Sequence, residues 1–242
     1  MTHTPQPTLE TTVGELVTQR PSRSRVFEKL GIDFCCGGKK SLGEACESQG
    51  LDARTVLSML LAAETGSEIE QRDWSSASLT ELADHIEQTH HAYIAQELPR
   101  LQAMVRKVAA VHGERHPWLL ELDGVFAAFR GELESHALKE EQVLFPMIRR
   151  LENDNADESG PAGHDIASVI EVMEHEHDDA GGALARMREL SDDFTPPQNA
   201  CGTFRAMLDA LHGLEKDMHT HVHKENSILF PAAMRLAKRS VA

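Results

Sequence analysis

His136-Ala-Leu-Lys139-Glu140, followed by Leu144-Phe145-Pro146, returns 85 residues later as His221-Val-His-Lys224-Glu225, followed by Leu229-Phe230-Pro231. Both copies fit the string HxxKExxxLFPxxxRL and close on Arg150-Leu151 and Arg235-Leu236. Residues four apart on a helix share a face, so each copy presents an imidazole and a carboxylate together. Two such helices facing each other aim both pairs into one space. A single HxxxE says little: with fourteen His, roughly one such pair is expected from composition alone. The duplication says more, because it repeats the context as well as the pair.

The likeness extends upstream. His91 lies 45 residues before His136, with Leu98 seven further on; His177 lies 44 before His221, with Leu184 seven further on. Each half therefore reads as one αα-hairpin, with a lone His on its first helix and HxxxE on its second. A structural repeat could keep Leu-Phe-Pro, but it has no need of His and Glu on an inward face, where unpaired burial costs several kcal/mol. The candidate ligands are His91, His136, Glu140, His177, His221 and Glu225. Six side chains crowd one ion and suit two ions sharing bridging carboxylates. Mixed nitrogen and oxygen ligation selects iron, manganese or zinc over calcium or magnesium. In a four-helix core such a pair is typically di-iron or di-manganese. Open positions would remain for an oxo bridge or for a small ligand such as O2 or NO. Glu132, Glu174 and Glu176 are candidates for orienting the imidazoles. His90 competes with its neighbour, and the match to His177 favours His91. His85, His175, His219 and His223 fall off the ligand face.

The rest of the chain fits a helical scaffold. Hydrophobic residues make up 40 % and aromatics 5 % of 242 residues, so the core is aliphatic and the expected class is all-α. A small helical domain over 1–72 precedes a bundle over 73–242, with 65–77 as linker. Short helices are expected over 13–20, 22–30, 41–50 (opened by the capping box Ser41-Leu-Gly-Glu44) and 53–64, the last burying Val56, Leu57, Leu60 and Leu61. Long helices follow from Ser78 to His112, bent at Pro99, from Trp118 past Pro146, from Asp165 to Leu190, and from Thr203 to Lys238. These make an antiparallel four-helix bundle. The net charge of -15 argues against nucleic acid or an anionic membrane as partner. No apolar run is long enough to span a bilayer, the N-terminus has no secretory pattern, and four unpatterned cysteines suit a reducing cytoplasm. A homodimer is neither required nor opposed by anything here.

Cys35 and Cys36 follow a helix end in Asp33-Phe34-Cys35-Cys36-Gly37-Gly38-Lys39. Adjacent cysteines are poorly placed for an ordinary disulfide, and Lys39 and Lys40 would favour thiolate. Cys46 and Cys201 read as ordinary helix residues. With this loop beside the paired HxxxE…LFP strings and Val172-Met173-Glu174…Glu176-His177-Asp178, nearly the whole chain resembles the iron–sulfur cluster repair di-iron proteins, the RIC family. These join a Cys-Cys-Gly-Gly domain to a hemerythrin-like bundle.

The resemblance places iron ligands on the same six residues, with both carboxylates and an oxo group bridging two iron ions. It implies that His91 and His136 share one iron, and His177 and His221 the other. The implied function is repair of iron–sulfur clusters after nitrosative or oxidative stress, with iron donated to damaged cluster proteins and Cys35 and Cys36 acting as relay or redox thiols. An O2- or NO-binding or sensing protein is the alternative, though it leaves the cysteine loop idle. An NO-reducing enzyme is the third reading, and the chain has no Gly-rich nucleotide motif to supply electrons.

Overall fold

Thr12 accepts a hydrogen bond from the Glu15 amide at 3.2 Å and so starts α1 (Val13–Gln19). The structure, a computed structural model, describes residues 6–62, 73–153 and 162–240. Pro21 opens a short 3-10 turn, Pro21–Arg23, which leads into α2 (Ser24–Leu30). The sequence suggests one helix from Ser22; the turn delays it by two residues. Gly31, at φ 67°, ends α2 in the left-handed region that a side chain would resist. The Ser41/Glu44 capping box forms as expected and starts α3 (Leu42–Ser48). Asp52 caps α4 (Ala53–Ala62) through the Thr55 amide at 2.7 Å. Val13, Leu16, Phe27, Phe34, Leu42, Val56 and Leu60 form the core of this unit. Leu61, expected inside, is 43 % exposed, because the inward stripe of α4 is carried by Val56 and Leu60, with Leu57 at its edge.

Four helical rods follow. The first is α5 (Leu79–Ile86), capped by the Ser78/Glu81 box, a π-helical turn over Glu87–His91, and α6 (Ala92–His112). The second is α7 (Trp118–Lys139), a π turn over Glu140–Leu144, and α8 (Phe145–Glu152). The third is α9 (Ala162–Leu190). The fourth is α10 (Gly202–Lys224), a π turn over Glu225–Leu229, and α11 (Phe230–Ser240). Most of the expected linker, 65–72, and most of the expected loop before α9, 154–161, lie outside the described residues. Among the described residues there is no strand, only an isolated bridge between Thr12 and Ser41.

The break expected at Pro99 lies elsewhere: α6 runs through Pro99, and the irregular turn comes at Glu87–His91. The other two π turns have a readable cause. Pro146 and Pro231 follow them closely, and in a regular helix each ring would crowd the carbonyl four residues back. A widened turn relieves that contact. Each of the three turns contains a candidate ligand: His91, Glu140 or Glu225.

Along every rod the candidate ligands fall between two apolar clusters. One cluster includes Ile94, Phe126, Phe129, Leu133, Leu184 and Val222; the other includes Ile86, Phe145, Ile148, Met173 and Phe230. The polar chamber is thus plugged with hydrocarbon at both ends.

Candidate metal centre

All six candidate ligands are buried, at 0–4 % exposure, with Glu140, His221 and Glu225 at 0 %. Their donor atoms form two groups, each within 4.8 Å: His91, His221, Glu140 and Glu225 in one; His136, His177, Glu140 and Glu225 in the other. Both carboxylates belong to both groups. Glu140 Oε2 lies 3.2 Å from His91 Nε2 and 3.4 Å from His136 Nε2. Glu225 reaches His177 Nε2 through Oε2 and His221 Nε2 through Oε1, each at 3.1 Å. His136 and His177 bring their Nε2 atoms to 3.0 Å.

This grouping corrects the pairing implied by the family resemblance. His91 partners His221, not His136, and His136 partners His177. Each group therefore takes one imidazole from each half of the repeat. The physical reason is that the two hairpins face each other, so that each lone His meets the HxxxE helix of the other half.

Outer partners turn Nε2 of three imidazoles inward. His91 Nδ1 lies 2.8 Å from Glu141 Oε1, His136 Nδ1 2.8 Å from Glu176 Oε2, and His177 Nδ1 2.9 Å from Asn226 Oδ1. Glu176 was expected in this role, and it orients His136 rather than its neighbour His177. Lys139 holds the other Glu176 oxygen. Glu174 does not serve an imidazole; it binds Lys39 at 2.8 Å. Glu132 lines a cavity of about 330 Å³ that reaches His136 and His177 between α7 and α9. The sequence reading missed Glu141 and Asn226, although both stand directly after the repeated Glu. His90 is outside both groups. It stacks on His221 with centroids 5.1 Å apart, contacts Asp217 through Nδ1 at 2.9 Å, and takes a 2.8 Å bond from Lys224 at Nε2.

The electrostatics call for positive charge. Neither Glu140 oxygen, nor Glu225 Oε2, has a partner in hydrogen-bond geometry; the imidazoles come close without the right angles. Burial opposes charge on His91 and His177, yet the contacts and charges of Glu140 and Glu225 respectively hold each pKa up at about 9. Burial likewise opposes ionisation of Glu225, but the His221 charge and its contacts with both imidazoles keep its pKa well below the carboxylate range. A buried carboxylate with unspent lone pairs is costly unless a cation shares it. The donor set, nitrogen and oxygen with two shared carboxylates, fits a pair of transition-metal ions.

Outer partners fix ligand orientation, and their loss typically costs 10–100-fold in metal affinity. Asn226→Ala and Glu141→Ala should each weaken ferrous binding by about that factor, read by competition with a coloured chelator. Unchanged affinity in both would refute the orienting role.

The cysteine loop sits on this centre. The Asp33 carboxylate accepts the amides of Cys35 at 2.9 Å, Cys36 at 3.0 Å and Gly37 at 2.8 Å, and so folds the loop. Cys36 Sγ donates to the His177 carbonyl at 3.3 Å, and Asn226 Nδ2 donates to the Cys35 carbonyl at 3.4 Å. A Cβ at Gly181 would lie 3.3 Å from Cys36 Sγ, so this glycine lets the loop rest on α9. Both thiols are free, 4.0 Å apart. The expected thiolate is not favoured at Cys35. Its hydrogen bond to Cys36, its burial and the nearby Asp33 charge raise its pKa well above the usual thiol value, while Lys39 is spent on Glu174. Asp33, Cys35 and Cys36 bring a carboxylate oxygen and two sulfurs within 4.8 Å. Cys46 is buried in the small core, whereas Cys201 is exposed at the N-cap of α10, 3.4 Å from His112 Nε2.

Two family models match the chain. The model of the hemerythrin HHE cation binding domain matches residues 59–233, and that of ScdA_N, a domain of unknown function (DUF542), matches residues 9–64. The iron-sulfur cluster repair protein YtfE of Dickeya chrysanthemi is 38 % identical over 223 residues, covering 92 % of this chain and 96 % of the relative. The proteins of the same name from Pectobacterium atrosepticum and Escherichia coli O157:H7 are each 36 % identical, with 92 % and 96 % coverage.

Proposed function

Because this chain belongs to the YtfE family of iron–sulfur cluster repair proteins, we propose that it repairs damaged iron–sulfur clusters with iron released from its own bundle. His91 and His221 would hold one iron and His136 and His177 the other, with Glu140 and Glu225 available to both. The observation that carries this reading is Glu140: 0 % exposed, with neither oxygen in a hydrogen bond. A pair of iron ions would take the place of the protons that the neighbouring carboxylates hold on His91 and His177. The iron is cargo as well as ligand, so the chamber has to let it go.

Two features support release. The cavity beside Glu132, Lys139 and Glu176 brings solvent close to His136 and His177. On another side, Cys36 touches the His177 backbone, and a cleft of about 570 Å³ opens past Cys35, Cys36, Glu174 and Asp178. Asp33, Cys35 and Cys36 form a softer, more exposed donor set than the chamber. Thiols there take up iron on its way to a recipient protein and lose their protons on binding it. Damage by nitric oxide or peroxide creates the recipients. NO and O2 are small enough for the same cavity, which favours their binding at the centre as a second reading.

The test is reactivation of an NO-damaged cluster enzyme by the iron-loaded protein. Cys35→Ala/Cys36→Ala should keep its iron and repair more slowly, by roughly tenfold if the relay lowers the barrier by about 1.4 kcal/mol. Repair at the unaltered rate would refute the cysteine role. NO consumption measured alongside separates repair from NO binding.

A further inference from the structure

A second cavity, of about 320 Å³, lies where the small helical unit meets the bundle. It shares none of the six residues of the metal centre. Val17, Pro21, Phe34 and Ile228 give it apolar walls, and Trp74 adds a flat aromatic face. Trp74 is held in place by stacking on His85, with centroids 4.0 Å apart and planes at 24°. Lys224 is its one cationic lining residue.

That lysine is oddly partnered. Its Nζ donates to His85 Nε2 and His90 Nε2, each at 2.8 Å, and lies 5.9 Å from the centre of the Trp74 ring. Among the described residues no carboxylate forms an ion pair with it. Asp217 and Glu225 act on its charge without forming an ion pair with it, and two hydrogen bonds to imidazoles leave one donor unspent. The site therefore combines an ammonium group that keeps a free donor with walls that are mostly apolar, interrupted by Thr18, Ser24, Thr220 and His223. Such concave apolar sites with a few polar anchors suit small organic molecules, and this volume lies at the lower end of their range. A metal cation is repelled by Lys224.

We propose that this cavity binds a small organic anion with a flat apolar body, its charged group on Lys224 and its body against Trp74 and Phe34. The occupant touches both halves of the chain, from Pro21 on one side to Ile228 on the other.

The probe is 1-anilinonaphthalene-8-sulfonate, an aromatic anion whose emission rises in apolar surroundings, titrated into the full-length protein. Saturable binding with one site per chain is expected. Lys224→Met should weaken it by about tenfold or more, the usual weight of a charge-assisted contact. Ser24→Trp, which fills the cavity from its rim, should abolish it with helical circular dichroism unchanged. Lys107→Met, on the exposed face of α6, should have no effect. The uncharged analogue N-phenyl-1-naphthylamine should bind less tightly than the sulfonate. If Lys224→Met fails to fold, Ser24→Trp and the uncharged analogue decide the matter. The proposal is overturned by the absence of saturable binding, by binding that survives Ser24→Trp, or by equal affinity for the uncharged analogue.

Discussion

Replacing Glu140 by Ala should reduce iron from about two ions per chain to less than about one, and should remove the absorption of an oxo-bridged ferric pair. The reason is geometric. Glu140 Oε2 lies within 3.4 Å of an imidazole in each group, so one substitution removes a donor from both candidate ion sites. Glu225→Ala should do the same, since its two oxygens divide between His177 and His221. Glu141→Ala should keep the pair while holding it less tightly, because it leaves all six candidate ligands and changes only the support of His91. The fold should survive, because the apolar clusters on either side of the chamber do not include Glu140. Retention of two irons by Glu140→Ala would remove the bridging assignment.

The second large effect is on stability. The six candidate ligands come from all four rods, so bound metal would tie the whole bundle together. A metal pair taken as one site, with free metal a thousandfold above the dissociation constant, adds about 4 kcal/mol to the folded state. For a domain of this size each kcal/mol moves the melting temperature by about 2–4 °C, so chelation should lower Tm by roughly 10 °C. A Glu140→Leu chain provides the internal check: it should melt at the same temperature with and without iron. If the parent chain melts at one temperature regardless of chelator, the ions are not held where the buried carboxylates are.

Much of this was legible in the residues. The period of the duplicated string and the upstream spacing found all six buried residues, because a repeat carries more information than any single HxxxE. The two capping boxes also appeared where Ser41 and Ser78 place them. What was hidden needed three dimensions. Which His partners which depends on how two hairpins face each other, and no spacing along one chain encodes that. The π turns were obscured because Pro146 and Pro231 are visible as helix breakers but not as the cause of a widened turn. Glu141 and Asn226 stood beside the repeated Glu, yet a polar residue there reads equally as a solvated face. At Cys35, nearby lysines suggested thiolate; folding gave Lys39 to Glu174 and buried the thiol, reversing the direction.

The most direct test of iron donation is isotopic. The protein is loaded with iron-57 and mixed with an NO-damaged four-iron cluster enzyme, with a ferrous chelator present to trap free iron. Activity should return and iron-57 should appear in the rebuilt cluster by Mössbauer spectroscopy, with loss of label from the donor. Label that stays in the bundle, or recovery no greater than with Glu140→Ala protein, would contradict it.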